Sequence, residues 1–329
     1  MKKVCIYGAG AIGGWIGARL ALGRLAQVSA VARGATLAAL RLHGWRLVED
    51  GAVRSAAVAG ASSDPRELGV QDLVVVAVKG PAMGEVARQI GPLLGPHTVV
   101  VPAMNGIPWW FTEGLPGAAG AEPLASVDAG GRIAAAIPAA QVIGCVVHAA
   151  ALVREPGLVE HRMGRGLVLG EPGGASTPRL QALARLLREA GFEATESPHI
   201  RRDVWFKLWG NLTMNPVSML TGATADRILD DPLVREFCSS AMREAAAIGR
   251  RIGCEIEQPP EERHAVTRKL GAIKTSMLQD AEAGRMLELD AIVAAVRELG
   301  ERVGVPTPTI DALFGLARLA ARVRGLYPA

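Results

Sequence analysis

The sequence predicts an α/β protein with an N-terminal Rossmann-like, doubly wound sheet followed by an all-helical C-terminal domain. In the first half of the chain, short apolar β-like runs alternate with helical segments, which is typical of right-handed βαβ units. After about residue 200 the β signals stop and only helical segments follow. The 329 residues also exceed what one hydrophobic core usually serves. We therefore predict two domains, at residues 1–199 and 200–329.

The elements of the N-terminal domain are predicted from apolar runs and glycine signals. The predicted strands are KVCIYGAG, QVSAVAR, DLVVVAVK and HTVVVPAMNG, with QVIGCVVHAAALV and GRGLVLGEP as later strands. DLVVVAVK is apolar throughout, as expected of a parallel strand buried on both faces. The predicted helices are AIGGWIGARLALG, GATLAALRLHG, GPAMGEVARQIGPLL and TPRLQALARLLREAG. Residues 106–140 are rich in Gly, Ala and Pro and give no clear assignment.

The C-terminal domain is predicted to be helical from end to end. Its predicted helices cover residues 203–220, 232–253, 260–282, 287–303 and 308–323. No repeat or low-complexity linker separates it from the first domain.

Composition indicates a globular protein with a sizeable core, because half of the residues are hydrophobic and 21% are charged. The net charge of +4 comes without a dense Lys/Arg block, so no nucleic-acid partner is expected. No secretory leader and no apolar stretch of about 18 residues occurs, so we expect no membrane partner and a cytoplasmic location. Four scattered cysteines predict buried reduced thiols, and six scattered histidines predict no metal site.

A glycine-rich turn predicts a dinucleotide site near the N-terminus. The segment GAGAIG, from Gly8 to Gly13, fits GxGxxG directly after a strand and at the start of a helix. In that context the glycines permit a tight turn and a close approach to a pyrophosphate, which binds at the helix N-terminus. A purely structural turn is the alternative.

The end of the second strand favours NADP(H) over NAD(H). NAD-binding folds place an acidic residue there, whereas this chain has SAVARGA, with Arg33 near the expected position of the 2′-phosphate. An ordinary surface charge is the alternative for Arg33. Lys79 and Asn105 end the next two strands at the carboxyl edge of the sheet, where ligands bind in such folds. Lys79 could instead extend to solvent, and Asn105 could belong to an ordinary Asn-Gly turn.

A polar stripe interrupts an apolar helix in the C-terminal domain. Lys207, Asn211 and Asn215 lie four residues apart in DVWFKLWGNLTMNPVSML and therefore share one helix face. Only six of the 36 basic residues are Lys, so a Lys within an apolar helix suggests a role that Arg cannot fill. Buried polar groups need partners, which here are either other polar groups of the protein or a ligand.

Taken together, these motifs resemble the ketopantoate reductase (2-dehydropantoate 2-reductase) family over nearly the whole chain. The similarity lies in GAGAIG, ARG, VAVK, MNG, KLWGNLTMNP and TSMLQDAEAGRMLELD, in this order and spacing. The resemblance implies reduction of the 2-oxo acid 2-dehydropantoate to (R)-pantoate with NADPH, on the route to pantothenate and coenzyme A.

The resemblance also implies roles for individual residues. It assigns to the cofactor Gly8, Ala9, Gly10, Ala11, Ile12, Gly13, Arg33, Lys79, Asn105 and Ala150. It makes Lys207 the proton donor and Glu288 its catalytic partner, and it places the Lys207 stripe at an interdomain cleft opposite the nicotinamide. It assigns to the substrate Asn105, Lys207, Asn211, Asn215, Ser276 and Glu288.

Two departures from the family pattern leave the substrate open. Ala225 stands near a position where some members carry a further substrate-binding Asn, and Thr221 or Thr224 is the candidate replacement. The long segment 106–140 begins with Trp109-Trp110-Phe111, which could cover the substrate, pack a core or form a subunit contact. The alternative functions are reduction of a different 2-oxo acid and a non-catalytic nucleotide-sensing role. The oligomeric state is not readable, and a homodimer stays open.

Overall fold

The computed structural model describes residues 1–328 and contains ten strands. In chain order they are β1 Lys3–Tyr7, β2 Gln27–Val31, β3 Trp45–Glu49, β4 Ala52–Ala56, β5 Gly60–Ser62, β6 Leu73–Val76, β7 Val99–Pro102, β8 Gly144–Glu155, β9 Leu158–Gly170 and β10 Glu193–Glu196. All of them precede residue 200, as the sequence predicts.

The α-helices occur in both halves of the chain. They are α1 Ala11–Leu22, α2 Gly34–His43, α3 Met83–Gln89, α4 Ala125–Asp128, α5 Arg132–Ala136, α6 Pro178–Glu189, α7 Ile200–Thr221, α8 Ala225–Asp230, α9 Pro232–Arg251, α10 Pro260–Arg268, α11 Ser276–Glu282, α12 Ala295–Arg302 and α13 Pro308–Val323. A π-helical turn, Asp290–Ala294, leads into α12.

The first sheet confirms the predicted fold class. Its strand order is β5-β2-β1-β6-β7, and every pairing in it is parallel. The central strands β1 and β6 are apolar and buried because helices cover parallel sheets on both faces. Their carboxyl ends bring the residues that follow β1, β2 and β6 to one edge.

A second sheet was only partly predicted from the sequence. It has the order β10-β9-β3-β4, and β8 pairs antiparallel with β9. The prediction gave no strands for β3 and β4, which form a short antiparallel hairpin on this sheet. Helix α1 packs against strands of both sheets, and a side chain at Gly17 would come within 2.6 Å of the Trp45 ring. The glycine therefore admits the close packing that holds the second sheet on α1.

The helical part agrees with the prediction except at two places. The predicted helix 260–282 is wrong in its middle, because α10 ends at Arg268 and α11 begins only at Ser276. Gly271, at φ +69°, lies in the break, and left-handed backbone of this kind does not continue a right-handed helix. Helix α8 was not predicted, since its six residues are too few for a periodic pattern.

Packing divides the chain into two compact units. The nucleotide unit comprises residues 1–104 and 132–203, and the helical unit comprises residues 105–131 and 204–329. The single boundary at residue 199 stays a prediction about folding domains, whereas by contacts the segment 105–131 groups with the helical unit. Among residues 1–328, no helix combines the length and the hydropathy needed to cross a bilayer.

Candidate functional site

The glycine turn between β1 and α1 leaves an open space where the sequence predicts a pyrophosphate. Gly8 has φ +96°, and a Cβ there would lie 2.7 Å from Val78 Cγ1. A Cβ at Gly13 would overlap the carbonyl oxygen of Gly8, so this glycine serves the packing of α1 on the sheet. A Cβ at Gly10 would meet nothing within 4 Å. Gly10 is the N-cap of α1, and the first N–H groups of a helix have no acceptor within the helix itself. The residues present therefore fit a bound dinucleotide phosphate.

A cavity of about 160 Å³ in the nucleotide unit adjoins this turn. Gly8, Ala9 and Gly10 line one side of it, and Arg33 lines another. Lys79 and Ala150 do not line it. Lys79 is partly buried and follows β6 at the carboxyl edge, as predicted. Ala150 is exposed in β8, and the register with β9 shifts on both sides of it, which turns the local backbone out of the regular ladder.

Arg33 carries a counter-ion that the sequence did not reveal. Its guanidinium forms an ion pair of 2.7 Å with Glu85, a residue of α3 that also lines the cavity. Burial, with the nearby Glu85 carboxylate as the next cause, raises the pKa of Tyr7 to about 12, so its hydroxyl stays protonated and donates to Gln89 at 3.1 Å. An acid in the first turn of the helix that follows β6 was the available signal for Glu85.

In the helical unit, Lys207 and Asn105 meet directly. The Lys207 Nζ donates a hydrogen bond of 2.9 Å to the Asn105 Oδ1, although 102 residues separate them in sequence. Both side chains are partly buried. An ammonium has three donors, so this bond fixes the position of Nζ without using all of its hydrogen-bonding capacity.

The turn that carries Asn105 is anchored on the π-helical turn. Gly106 has φ +82°, and a Cβ there would lie 2.6 Å from the Ala291 Cβ and backbone oxygen. The next residue, Ile107, donates its N–H to that same oxygen at 2.8 Å. Glu288 is partly buried and lies three residues before Ala291. Two of the predicted site residues, Asn105 and Glu288, therefore come from segments that are bonded to each other.

Asn211 and Asn215 continue the stripe along α7. Asn211 is partly buried, whereas Asn215 is only 4% exposed. The Nδ2 of Asn215 is buried and has no hydrogen-bond partner within residues 1–328. Pro216 lies inside the helix and has no N–H, so the regular bond to the carbonyl of Leu212 is missing next to this amide. The polar stripe thus has donor and acceptor capacity that the helix itself does not use.

Ser276 is exposed at the start of α11. It follows the N-cap Thr275, whose hydroxyl accepts from the Leu278 N–H at 3.3 Å. Because Thr275 performs the capping, Ser276 is not needed for it.

The two threonines near Ala225 are engaged locally. Thr221 donates to the Val217 carbonyl at 2.8 Å, and Thr224 donates to Asp226 at 2.5 Å. Ala225 is buried at the start of α8. Neither hydroxyl therefore needs a ligand to satisfy it, and neither stands out as a replacement for the family's additional Asn.

The aromatic segment after Asn105 belongs to a core. Trp109, Trp110 and Phe111 are at most 5% exposed, and the Phe111 ring stacks on Trp205 of α7 at 6.1 Å between centroids. Of the three alternatives, the structure supports packing of the helical unit. Through this contact the segment that carries Asn105 is fixed to the helix that carries Lys207.

The four cysteines are buried, which confirms that prediction. Burial raises the pKa of Cys5 to about 12 and that of Cys238 to about 11, so both remain thiols at neutral pH. Across residues 1–328, no group of three or more His, Cys, Asp or Glu side chains is arranged to hold a metal ion.

Comparison with known proteins gives consistent family matches over the chain. Residues 4–174 match the family model described as ketopantoate reductase PanE/ApbA, and residues 199–321 match the model of its C-terminal part. A 2-dehydropantoate 2-reductase of Mesorhizobium japonicum is 45% identical, with 99% of both chains covered. A crystal structure from Ralstonia solanacearum MolK2, provisionally described as a ketopantoate reductase, has 58% identity and a TM-score of 0.94, covering 99% of this chain and 100% of that one.

A more distant structure shares the fold alone. D-mandelate dehydrogenase in its ternary structure with NADH and anilino(oxo)acetate has a TM-score of 0.83 at 21% identity, covering 99% of this chain and 100% of that one. The family models, by contrast, match this chain from its first strand to its last helix. The chain belongs to the ketopantoate reductase family.

Proposed function

We propose that this protein is a 2-dehydropantoate 2-reductase, which reduces 2-dehydropantoate to (R)-pantoate with NADPH in the cytoplasm, on the route to pantothenate and coenzyme A. The observation that carries the proposal is the 2.9 Å bond from Lys207 to Asn105, because it holds an ammonium in position to act on a carbonyl oxygen. The similarity along the whole length to a 2-dehydropantoate 2-reductase supports the choice of substrate.

Lys207 acts as the general acid in this proposal. When bound, the nicotinamide supplies a hydride to the carbonyl carbon of the substrate. Negative charge develops on the carbonyl oxygen, and the Lys207 ammonium stabilises it and transfers a proton to it. The resulting amine regains a proton from solvent. Asn105 keeps Nζ in place during the step, because its amide oxygen accepts from either form of the lysine.

The remaining stripe residues bind the rest of the substrate. Asn211 and Asn215 offer amides that can bond a hydroxyl or a carboxylate without adding charge, and the buried Nδ2 of Asn215 gains an acceptor when substrate binds. Ser276 and Glu288 hold the substrate and order the segment that carries Asn105, in line with the family pattern. Each of these roles predicts a loss of substrate affinity on substitution with Ala.

The cofactor proposal rests on the glycine turn and on Arg33. Gly8 to Gly13 hold the pyrophosphate, and Arg33 pairs with the 2′-phosphate of NADPH. Lys79 and Ala150 contact the cofactor further along, as the resemblance implies. Glu85 favours the second candidate, NADH, because a carboxylate in this cavity can bond the ribose hydroxyls.

The experiment that tests the function is a substrate panel. Purified protein is assayed with NADPH and with NADH against 2-dehydropantoate and other 2-oxo acids of different size. We expect the highest kcat/KM for 2-dehydropantoate with NADPH. A higher value for another 2-oxo acid would assign that substrate instead, and cofactor binding without turnover of any acid would favour the nucleotide-sensing alternative. Light scattering tests the homodimer, which stays a prediction.

A further inference from the structure

Arg263, an arginine outside the motifs discussed so far, packs against α7, the helix that carries Lys207. Arg263 of α10 places its guanidinium carbon 5.3 Å from the centre of the Phe206 ring. A Cβ at Gly210 would lie 2.7 Å from the Arg263 Nε and 3.0 Å from its Nη2. The guanidinium therefore lies directly on the backbone of α7, beside the turn formed by Lys207 and Gly210.

The charge of Arg263 has no counter-charge in the structure. Within residues 1–328 no carboxylate approaches its guanidinium within 4 Å, and its buried Nε has no hydrogen-bond acceptor. The contrast on the same helix is Arg268, which pairs with Asp230 at 2.9 Å and donates to the Leu229 carbonyl at 2.7 Å. The two terminal nitrogens of Arg263 are not among the buried unpaired atoms, so solvent or a ligand can reach them.

Such an arrangement is unfavourable for folding by itself. Burial lowers the pKa of Arg263, which shows that the site disfavours the charge. Glycine in a helix interior is also less favourable than alanine. Glycine at position 210 lets the guanidinium lie against the helix backbone, because a Cβ there would require the end of the Arg263 side chain to shift. Two locally unfavourable features that depend on each other are expected at a binding site rather than in a purely structural helix pair.

We propose that Arg263 is a specificity-determining residue that binds the carboxylate of the 2-oxo acid through its two terminal nitrogens. The proposal rests on the function proposed above and explains why that substrate must be an anion. Gly210 lies three residues after Lys207, and residues at this spacing are neighbours on a helix surface. A planar carboxylate next to a carbonyl group can then meet Arg263 while the carbonyl oxygen meets Lys207, since guanidinium and carboxylate pair in a bidentate manner.

The test compares an acid with its uncharged form. Wild type, Arg263→Leu and Gly210→Ala are assayed with NADPH on 2-dehydropantoate and on its lactone, which keeps the ketone and lacks the carboxylate. Arg268→Leu serves as the matched control, because it removes the same charge from the same helix. We expect both test variants to raise KM for the acid by about 10- to 100-fold and to change kcat much less. Lactone turnover stays unchanged in both, and the control keeps the wild-type KM.

A structural role for Arg263 gives a different pattern. In that case kcat/KM would fall equally for the acid and for the lactone, or the melting temperature of Arg263→Leu would fall together with kcat. Either result overturns the proposal. An unchanged KM for the acid overturns it as well. The proposed function is judged separately, by wild-type turnover alone. If wild type prefers another 2-oxo acid, the comparison uses that acid and its methyl ester. If wild type neither reduces nor binds any acid, the proposed carboxylate site is wrong as well.

Discussion

At the scale of single residues, the glycine turn separates roles that the motif GAGAIG does not distinguish. Gly8 and Gly13 have no room for a Cβ because the protein itself fills the space, whereas Gly10 faces open space. Packing therefore requires glycine at the first two positions, whereas at Gly10 only the proposed ligand would require it. The motif could be located from the sequence, but this division of roles depends on the position of Val78 and the neighbouring strand.

Substitutions in the turn should separate stability from binding. Gly10→Ala should leave the melting temperature of the free protein unchanged and weaken NADPH binding at least tenfold, because its methyl group occupies the phosphate space. The matched variant Gly13→Ala should lower the melting temperature itself, since its methyl group overlaps a backbone oxygen. Calorimetric melting and fluorescence titration with NADPH measure the two quantities. Unweakened NADPH binding by Gly10→Ala would contradict the phosphate role.

The Arg33–Glu85 pair predicts opposite shifts in cofactor preference. Arg33→Ala should weaken NADPH much more than NADH, because only NADPH has the 2′-phosphate. Glu85→Gln should strengthen NADPH binding, since the guanidinium no longer has a competing carboxylate. Dissociation constants for both cofactors, measured for each variant, check this. Equal losses for NADPH and NADH in Arg33→Ala would remove the arginine from phosphate recognition.

At the scale of elements, the π-helical turn links three of the segments of the helical unit that carry predicted site residues. It begins two residues after Glu288 and offers its Ala291 carbonyl to the turn after Asn105, and Asn105 in turn accepts from Lys207 of α7. π-helical turns leave carbonyls outside the regular helix pattern, which is why they recur at functional sites. The sequence predicted a helix over 287–303 but gave no signal for this turn.

Gly106→Ala should therefore impair catalysis more than its backbone strain explains. The added methyl group would lie 2.6 Å from Ala291, so the Asn105 turn must shift, which disturbs the bond between Asn105 and Lys207. Gly114→Ala is the control, because Gly114 has a similar φ of +78° with nothing within 4 Å of its Cβ. Each variant should lose about 1–3 kcal/mol of stability from the strained backbone, but only Gly106→Ala should lower kcat at least tenfold. Equal kcat values in the two variants would contradict the link.

The contact between α9 and α10 predicts a pH-dependent stability. His264 is buried against Ser239, with 3.0 Å between the Nε2 and the hydroxyl oxygen, and burial lowers its pKa. The unfolded state then binds more protons, so the stability from this site is complete above the unfolded pKa of about 6.5 and is lost as pH falls below it. His264→Gln should flatten the fall in the urea midpoint between pH 7.5 and 5, whereas the exposed His43→Gln should not. If the urea midpoint of His264→Gln falls with pH as steeply as that of wild type, His264 is not the cause of the pH dependence.

At the scale of the whole molecule, the periodicity of apolar residues predicted most elements but not the packing contacts between residues far apart in sequence. The strands of the parallel sheet follow from short apolar runs, and most long helices follow from apolar residues that recur at helical spacing. The hairpin β3-β4 was missed because its second strand is largely exposed and has no apolar alternation. The grouping of residues 105–131 with the helical unit depends on the buried Trp109, Trp110 and Phe111, whose contacts lie far away in sequence.

The candidate site shows the same division. Helical spacing placed Lys207, Asn211 and Asn215 on one face of α7. The family resemblance supplied their roles and those of Asn105 and Glu288. The only sequence signal for Glu85 was an acid in the first turn of the helix after β6, and Arg263 carried no motif. Their neighbours in space show what each contacts: an arginine for Glu85, and an aromatic ring and a glycine for Arg263. Sequence reasoning locates residues that repeat a known pattern, while charges that matter through their partners require the structure.

The central claim, that Lys207 gives the proton, is tested most directly by single-turnover and steady-state rates of Lys207→Ala with 2-dehydropantoate and NADPH. Lys274→Ala is the control, because that lysine is exposed and pairs with Glu282. The account predicts that kcat of Lys207→Ala falls by a factor of about 10²–10⁴, the usual contribution of a general acid, while its dissociation constant for NADPH and the rates of the control stay near wild type. Turnover by Lys207→Ala at close to the wild-type rate would contradict it.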